Sequence, residues 1–275
     1  MTSNIFFYPP KFSNIVNSNA RINVVYGGRS SSKTHTAVTL ILLLVIKTGG
    51  GAMIFRLIED SLQRSIYATF KKIIQGSEIF SQNFTILSNS IRCNTNGAVI
   101  DFMGIWNKKE GLKGIDNKKY FLIDEAVDLS REDGLILKNT FARFEDIRIF
   151  YLFNPRHADD FVYDQFVTHH KEVKQVWGDD FQILKINWYD NPFVCENESF
   201  LKEVEQDKKT LTSEEFNHQW EGELITVNNA QIFNKKFEVL AFDTMDRAKV
   251  FEKRYFYGAD WGFAADPTVM IRCYI

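Results

Sequence analysis

The sequence has few cysteines, little net charge and no long apolar run, and each shortage removes a class of protein. Cys93, Cys195 and Cys273 are scattered and odd in number, with no C-x-x-C pair and no histidine at finger spacing. That argues against a disulfide framework or a structural zinc site and fits a reducing compartment. Lys and Arg number 33 against 35 Asp and Glu, a net charge of -2, so the chain is not a polycation and any contact with DNA has to come from a local patch. The longest apolar stretch, residues 40–46, is far too short to span a bilayer. Residues 1–12 (MTSNIFFYPPKF) lack the basic segment, apolar run and small-residue cleavage site of a secretory signal. There is no internal repeat and no low-complexity tract.

What is present is apolar material. With 45% hydrophobic residues over 275 positions, the chain can bury a substantial core, either one large domain or one domain plus part of another. Residues 21–26 (RINVVY) form a short β-branched run that meets Gly27-Gly28 at once. From Lys33 a mostly apolar helix follows, ending near residues 49–51 (GGG). Residues 52–56 read as a second strand, and Asp60 can cap a helix running to Gly76. Residues 84–87, 90–94 and 98–103 suggest short strands with a turn at 94–97 (NTNG). Residues 120–123 (YFLI) and 147–153 (IRIFYLF) have the continuous apolar character of buried parallel strands. With helices between, the class is α/β. From Tyr189 the texture changes: Asp190-Asn191-Pro192 breaks the chain, and residues 196–207 are charged at helical spacing. Residues 254–259 and 269–274 read as an antiparallel pair of strands.

Three strings carry chemistry. Gly27, Gly28, Arg29, Ser30, Ser31, Ser32, Lys33 and Thr34 match the G-x-x-x-x-G-K-[ST] phosphate loop except that Ser32 replaces the second glycine. Backbone N–H groups at the helix start can surround a β-phosphate, Lys33 can reach the β- and γ-oxygens, and the Thr34 hydroxyl can take one Mg2+ position. Ser32 then has to adopt a backbone geometry that glycine reaches more easily. A Ser-rich turn is the plainer reading of the string alone, and the strand before it and helix after it favour the phosphate loop.

Asp124 and Glu125 end the strand YFLI, where desolvated charge is costly unless it meets a metal or a reacting water. Asp124 is the candidate Mg2+ partner, and Glu125 the candidate to orient or deprotonate an attacking water. Asn154, after the next apolar strand, can stand beside a γ-phosphate, although Asn-Pro also forms ordinary turns. Arg29 is a candidate for neutralising transition-state charge or simply a surface arginine. Lys108, Lys109, Lys113, Lys118 and Lys119 can touch a DNA backbone or serve as solvated loop lysines.

Taken in order, GGRSSSKT, FLIDEA, YLFNP, NWYDNPF, HQWEGE and YGADWGFAADPT resemble the large terminase subunit of tailed bacteriophages, of the PBSX-like type, from residue 24 onward. The resemblance implies an ASCE-type P-loop ATPase core over residues 1–180, a lid or linker over 181–225, and the beginning of an RNase H-like nuclease domain over 226–275. It implies ATP and Mg2+ as cofactors, with Mg2+ or Mn2+ at a completed nuclease site whose first carboxylate matches Asp260. Implied partners are double-stranded viral DNA, a portal protein and a small terminase subunit, around a homo-oligomeric ring on the procapsid. The implied setting is the cytoplasm of the bacterial host, away from any membrane. Asp260 and Asp266 alone cannot hold two metal ions, so nuclease activity is not expected from this chain by itself. The rival expectations are a P-loop helicase or repair translocase, and a non-catalytic assembly or DNA-binding remnant of a prophage gene.

Overall fold

A computed structural model describes residues 7–57, 65–105, 117–225, 255–260 and 269–274. Eight strands, β1 (Ile22–Tyr26), β2 (Gly51–Arg56), β3 (Phe84–Ile86), β4 (Ser90–Cys93), β5 (Val99–Gly104), β6 (Lys118–Ile123), β7 (Arg148–Phe153) and β8 (Phe181–Lys185), form one sheet in the order β3-β4-β5-β2-β6-β7-β1-β8. The run from β5 to β8 is parallel throughout, and β4 and β3 extend it as an antiparallel hairpin. Parallel strands are covered on both faces, which is why β2 and β7 are buried at every residue.

Strand alternation divides the core in two. Val24, Phe121, Ile123, Tyr151 and Phe153 face one apolar cluster. Val25, Leu122, Phe150 and Leu152 face the other, which they share with Val38 and Ile41 of helix α1 (Lys33–Thr48). Gly49 ends that helix in the left-handed conformation, its N–H bonded to the Val45 carbonyl. Helix α2 (Ile66–Gln75) turns Ile66, Phe70, Ile73 and Ile74 inward and packs against α1. The helix start expected at Asp60 lies outside the described residues.

Two expectations need correction. The sheet runs past the boundary drawn at residue 180, because β8 pairs with β1 along its whole length. Its sequence, FQILK, is only half-buried beyond Phe181, so no apolar run marks it as a strand. Lys118 and Lys119 stand inside β6, not in a loop before it. Lys118 is buried in an ion pair with Asp101 at 2.6 Å, and Lys119 pairs with Asp146 at 2.5 Å. Lys108, Lys109 and Lys113 lie outside the described residues.

Beyond the sheet, helix α3 (Arg131–Phe141) is capped by Ser130, whose Oγ accepts from the Asp133 N–H. After β8 come α4 (Glu198–Thr210), capped by Asn197, and α5 (Ser213–Glu221), which opens with a reciprocal Thr212–Glu215 capping box and closes on left-handed Gly222. The chain divides into two units, Met1–Asn228 and Asn229–Ile275. In the second, β9 (Tyr255–Asp260) and β10 (Val269–Tyr274) pair antiparallel, with Asp260 opposite Val269. Among the described residues, no helix is long and apolar enough to cross a membrane.

Candidate functional site

Strands β6, β7 and β1 are neighbours and parallel, so the segments leaving their C-terminal ends share one edge of the sheet. That edge is where α/β folds present ligand-binding loops. Residues 27–34, Asp124 with Glu125, and Asn154 all emerge there. Lys33, Thr34, Asp124, Glu125, Asn154 and Arg29 line one cavity of about 870 Å³.

The loop after β1 is held in an unusual backbone shape. Ser30 and Ser32 have φ of 58° and 66°, a left-handed conformation costing roughly 1–2 kcal/mol for a residue with a Cβ. Ser32 therefore does adopt the geometry that a glycine would reach without strain. Lys33 curls back into the loop, its Nζ donating to the carbonyls of Gly27 (3.1 Å) and Gly28 (2.6 Å) and to Ser31 Oγ (2.8 Å). Burial pushes its ammonium down to about pKa 7, against the attraction of Asp124. A buried cation ringed by neutral carbonyls is poised to exchange them for an anion.

Across the cavity the Thr34 hydroxyl donates to Asp124 Oδ1 at 3.2 Å. Asp124 is buried, and burial raises its carboxyl to about 6; the neighbouring Glu125 adds to the rise, while Arg56 and the Thr34 hydrogen bond oppose it. Glu125 has φ of 52°, and its half-exposed carboxylate pairs with Nη2 of Arg56, the buried last residue of β2. Asn154 is half-buried and Arg29 is exposed at the rim. Also at the rim, Arg156 pairs with Asp128 at 2.6 Å. A second cavity, of about 610 Å³, adjoins the first through Thr69 and Lys72 and is lined by His35, Thr39, Phe7 and Phe193.

The donor set fits a divalent cation that keeps most of its ligands as phosphate and water: one hydroxyl and one carboxylate meet beside a lysine. Magnesium binds in that way. Among the described residues no group of three or more His, Cys, Asp or Glu side chains could hold a metal by itself. The side chain of Asp260 falls outside the described residues, although its backbone lies in β9.

Sequence reasoning missed Arg56, Lys72, Asn187 and Asn191. The signal for Arg56 was available, since a charge ending the apolar run AMIFR asks for a partner just as Asp124 does. Asn187 and Asn191 lie in NWYDNPF, which had a likeness but no assigned role.

The strand order, the loop between β1 and α1, and the carboxylates ending β6 define a P-loop nucleoside-triphosphatase core of the ASCE type. The profile of the phage terminase large subunit family matches residues 19–223. The chain belongs to that family, and its sheet and loop are those of the N-terminal ATPase portion. No curated protein matches it. Among solved structures, it resembles the HK97 bacteriophage large terminase with a TM-score of 0.61 at 10% identity, covering 98% of this chain and 60% of that one. A large terminase from a thermophilic bacteriophage gives 0.59 at 10% identity, over 78% and 53%. The ATPase domain of the Thermus phage P74-26 large terminase gives 0.54 at 13% identity, over 80% and 94%. At these identities the likeness is one of fold. The chain spans between about half and two thirds of the length of the HK97 and thermophilic-phage large terminases.

Proposed function

We propose that this chain is the ATP-hydrolysing motor of a phage large terminase, moving double-stranded DNA into a procapsid. The observation that carries the reading is the meeting of Lys33, Thr34 and Asp124 at one end of the sheet, with Glu125 on the same cavity wall. Lys33 leaves the loop carbonyls for the β- and γ-phosphate oxygens, and the N–H groups of residues 31–34 orient the β-phosphate. Thr34 and Asp124 would hold Mg2+, which would supply charge neutralisation to the phosphates. Glu125 orients the attacking water and accepts its proton, once its carboxylate has left Arg56. Asn154 stands where an amide can follow the γ-phosphate, and Arg29 is the loop's own candidate for transition-state charge. The nucleoside half fits the adjoining cavity, where Phe7 and Phe193 are exposed aromatics able to stack on a base.

The core, its helical lid and a following nuclease unit with Asp260 as its first carboxylate remain the proposed organisation, with the core extended to include β8. The large terminase of the thermophilic bacteriophage has been solved with ATP-gamma-S and with ADP, which supports nucleotide binding here. Lys108, Lys109 and Lys113 are the remaining lysine candidates for the DNA backbone. The motor works as a ring on the portal, with a small terminase subunit, in the bacterial cytoplasm.

A packaging assay tests this. Procapsids supplied with the chain, small subunit, ATP and linear duplex should accumulate nuclease-protected DNA. Strand separation without protected DNA would favour the helicase reading, and the absence of both, with no ATP turnover, the non-catalytic one.

A further inference from the structure

The break after β8 does more than end the sheet. Asn187 is buried at 3% exposure, and both ends of its amide are in use. Its Oδ1 accepts from the Gly28 N–H at 2.8 Å, while Nδ2 donates to the Glu221 carbonyl at 3.1 Å and the Tyr189 hydroxyl at 2.9 Å, and meets Glu221 Oε2 at 3.3 Å. One residue type supplies an acceptor on one side and donors on the other at this length, and that is asparagine. Four residues on, buried Asn191 donates from Nδ2 to the Ser30 carbonyl at 2.8 Å and accepts the Phe193 N–H at 3.2 Å. The residue between, Arg29, gives its N–H to the Gln219 carbonyl of α5 at 3.0 Å.

Three consecutive residues of the phosphate loop are thus held by the segment 187–221. The packing is as close as backbone allows. A Cβ on Gly28 would lie 2.0 Å from the Trp220 carbonyl oxygen, and one on Gly222 would lie 2.4 Å from the Gly27 carbonyl carbon. Helix α5 is joined to α4 in turn, since Gln219 Nε2 and Trp220 Nε1 both donate to Asp207 Oδ2 at 3.0 Å. The Gly28 residue that gives its N–H to Asn187 also gives its carbonyl to Lys33. When Lys33 moves to a phosphate, the Gly28 carbonyl loses its charged donor and keeps only the Ser31 Oγ at 3.0 Å, while its N–H stays on Asn187.

We infer that Asn187 is a positioning residue, seconded by Asn191, that couples nucleotide occupancy of the phosphate loop to helix α5 through its divided amide. The inference rests on the ATP-binding reading. Hydrogen exchange on the full chain, with and without ADP and Mg2+, tests it. In wild type, ADP should slow amide exchange at least about fivefold both in residues 27–34 and in residues 213–222. Asn187→Asp keeps the acceptor for Gly28 but sets a carboxylate against the Glu221 carbonyl and carboxylate. It should retain ADP protection in 27–34 and lose it in 213–222. Its kcat should fall about tenfold with KM within about threefold, a split that general unfolding would not produce. Bound ADP with no protection of 213–222 in wild type overturns the inference while leaving the ATP reading intact, as does full protection of 213–222 in Asn187→Asp. If that variant does not fold, Asn187→Ala, which removes the amide's bond to the Glu221 carbonyl, must show the same loss. Failure of wild type to bind any nucleotide overturns the ATP reading and this inference together.

Discussion

The two loops that meet in the cavity are built by different forces. The loop after β1 is shaped by main-chain hydrogen bonds, glycine contacts and left-handed serines, held against residues 186–222 with little room to move. The loop after β6 is shaped by charge, with Asp124 against Thr34 and Glu125 against Arg56. The first should answer mainly to steric change, with Lys33, whose pKa burial lowers to about 7, as its titrating group, and the second should answer mainly to pH.

The largest effect is expected from adding one methyl group to the steric loop. Gly28→Ala should lower stability by about 3 kcal/mol, because the new carbon meets a main-chain carbonyl that has no free direction to move. Gly97→Ala, in the hairpin turn at φ of 78° with nothing within 4 Å of a new Cβ, should lose only about 1 kcal/mol. Thermal unfolding of both variants compares them, and equal losses would mean the phosphate loop is not clamped.

The charged loop should respond in the opposite sense. Burial raises the Asp124 carboxyl from 3.8 to about 6, so its ionised form costs folding free energy. A folded-state value above the unfolded one means stability that is present at low pH and lost as pH rises through about 6. Asp124→Asn should therefore melt higher than wild type at pH 8 without nucleotide, by on the order of 2 kcal/mol, and the advantage should shrink as pH falls from 6 towards 4. A pH-independent difference would remove the electrostatic account of this loop.

A smaller effect separates the phosphate end of the site from the base end. Phe193→Ala should weaken ADP binding about tenfold, in line with the roughly 1–3 kcal/mol of a base–aromatic stack, and leave inorganic tripolyphosphate within about twofold. Equal weakening of both ligands would take the base out of that cavity.

The difference between the loops also explains what can be read from residues alone. The phosphate loop is legible because its spacing reflects local geometry: strand, turn, helix and a lysine at one offset. Asp124 and Glu125 are legible because charge at the end of YFLI contradicts its surroundings. β8 is hidden because half-burial gives FQILK no continuous apolar run, which puts the expected core boundary one strand too early. Lys118 and Lys119 mislead for a related reason, since ion pairs with Asp101 and Asp146 allow charge inside a strand that apolar patterning would start at Tyr120. Asn187 and Asn191 lie some 160 residues from their loop partners. Nothing in the local sequence connects them, because a divided amide is specified by what it bridges.

The central claim, that this cavity binds and hydrolyses ATP, is tested most directly by measuring nucleotide affinity and phosphate release together for wild type, Lys33→Ala and Glu125→Gln. Lys33→Ala should lose binding and turnover together, since among the loop residues this ammonium alone is buried beside the phosphate position. Glu125→Gln should bind ATP within about threefold of wild type and lose turnover by roughly 10²–10⁴-fold, the usual contribution of a positioned base. Wild-type phosphate release from Glu125→Gln, or unchanged ATP affinity in Lys33→Ala, would contradict the account.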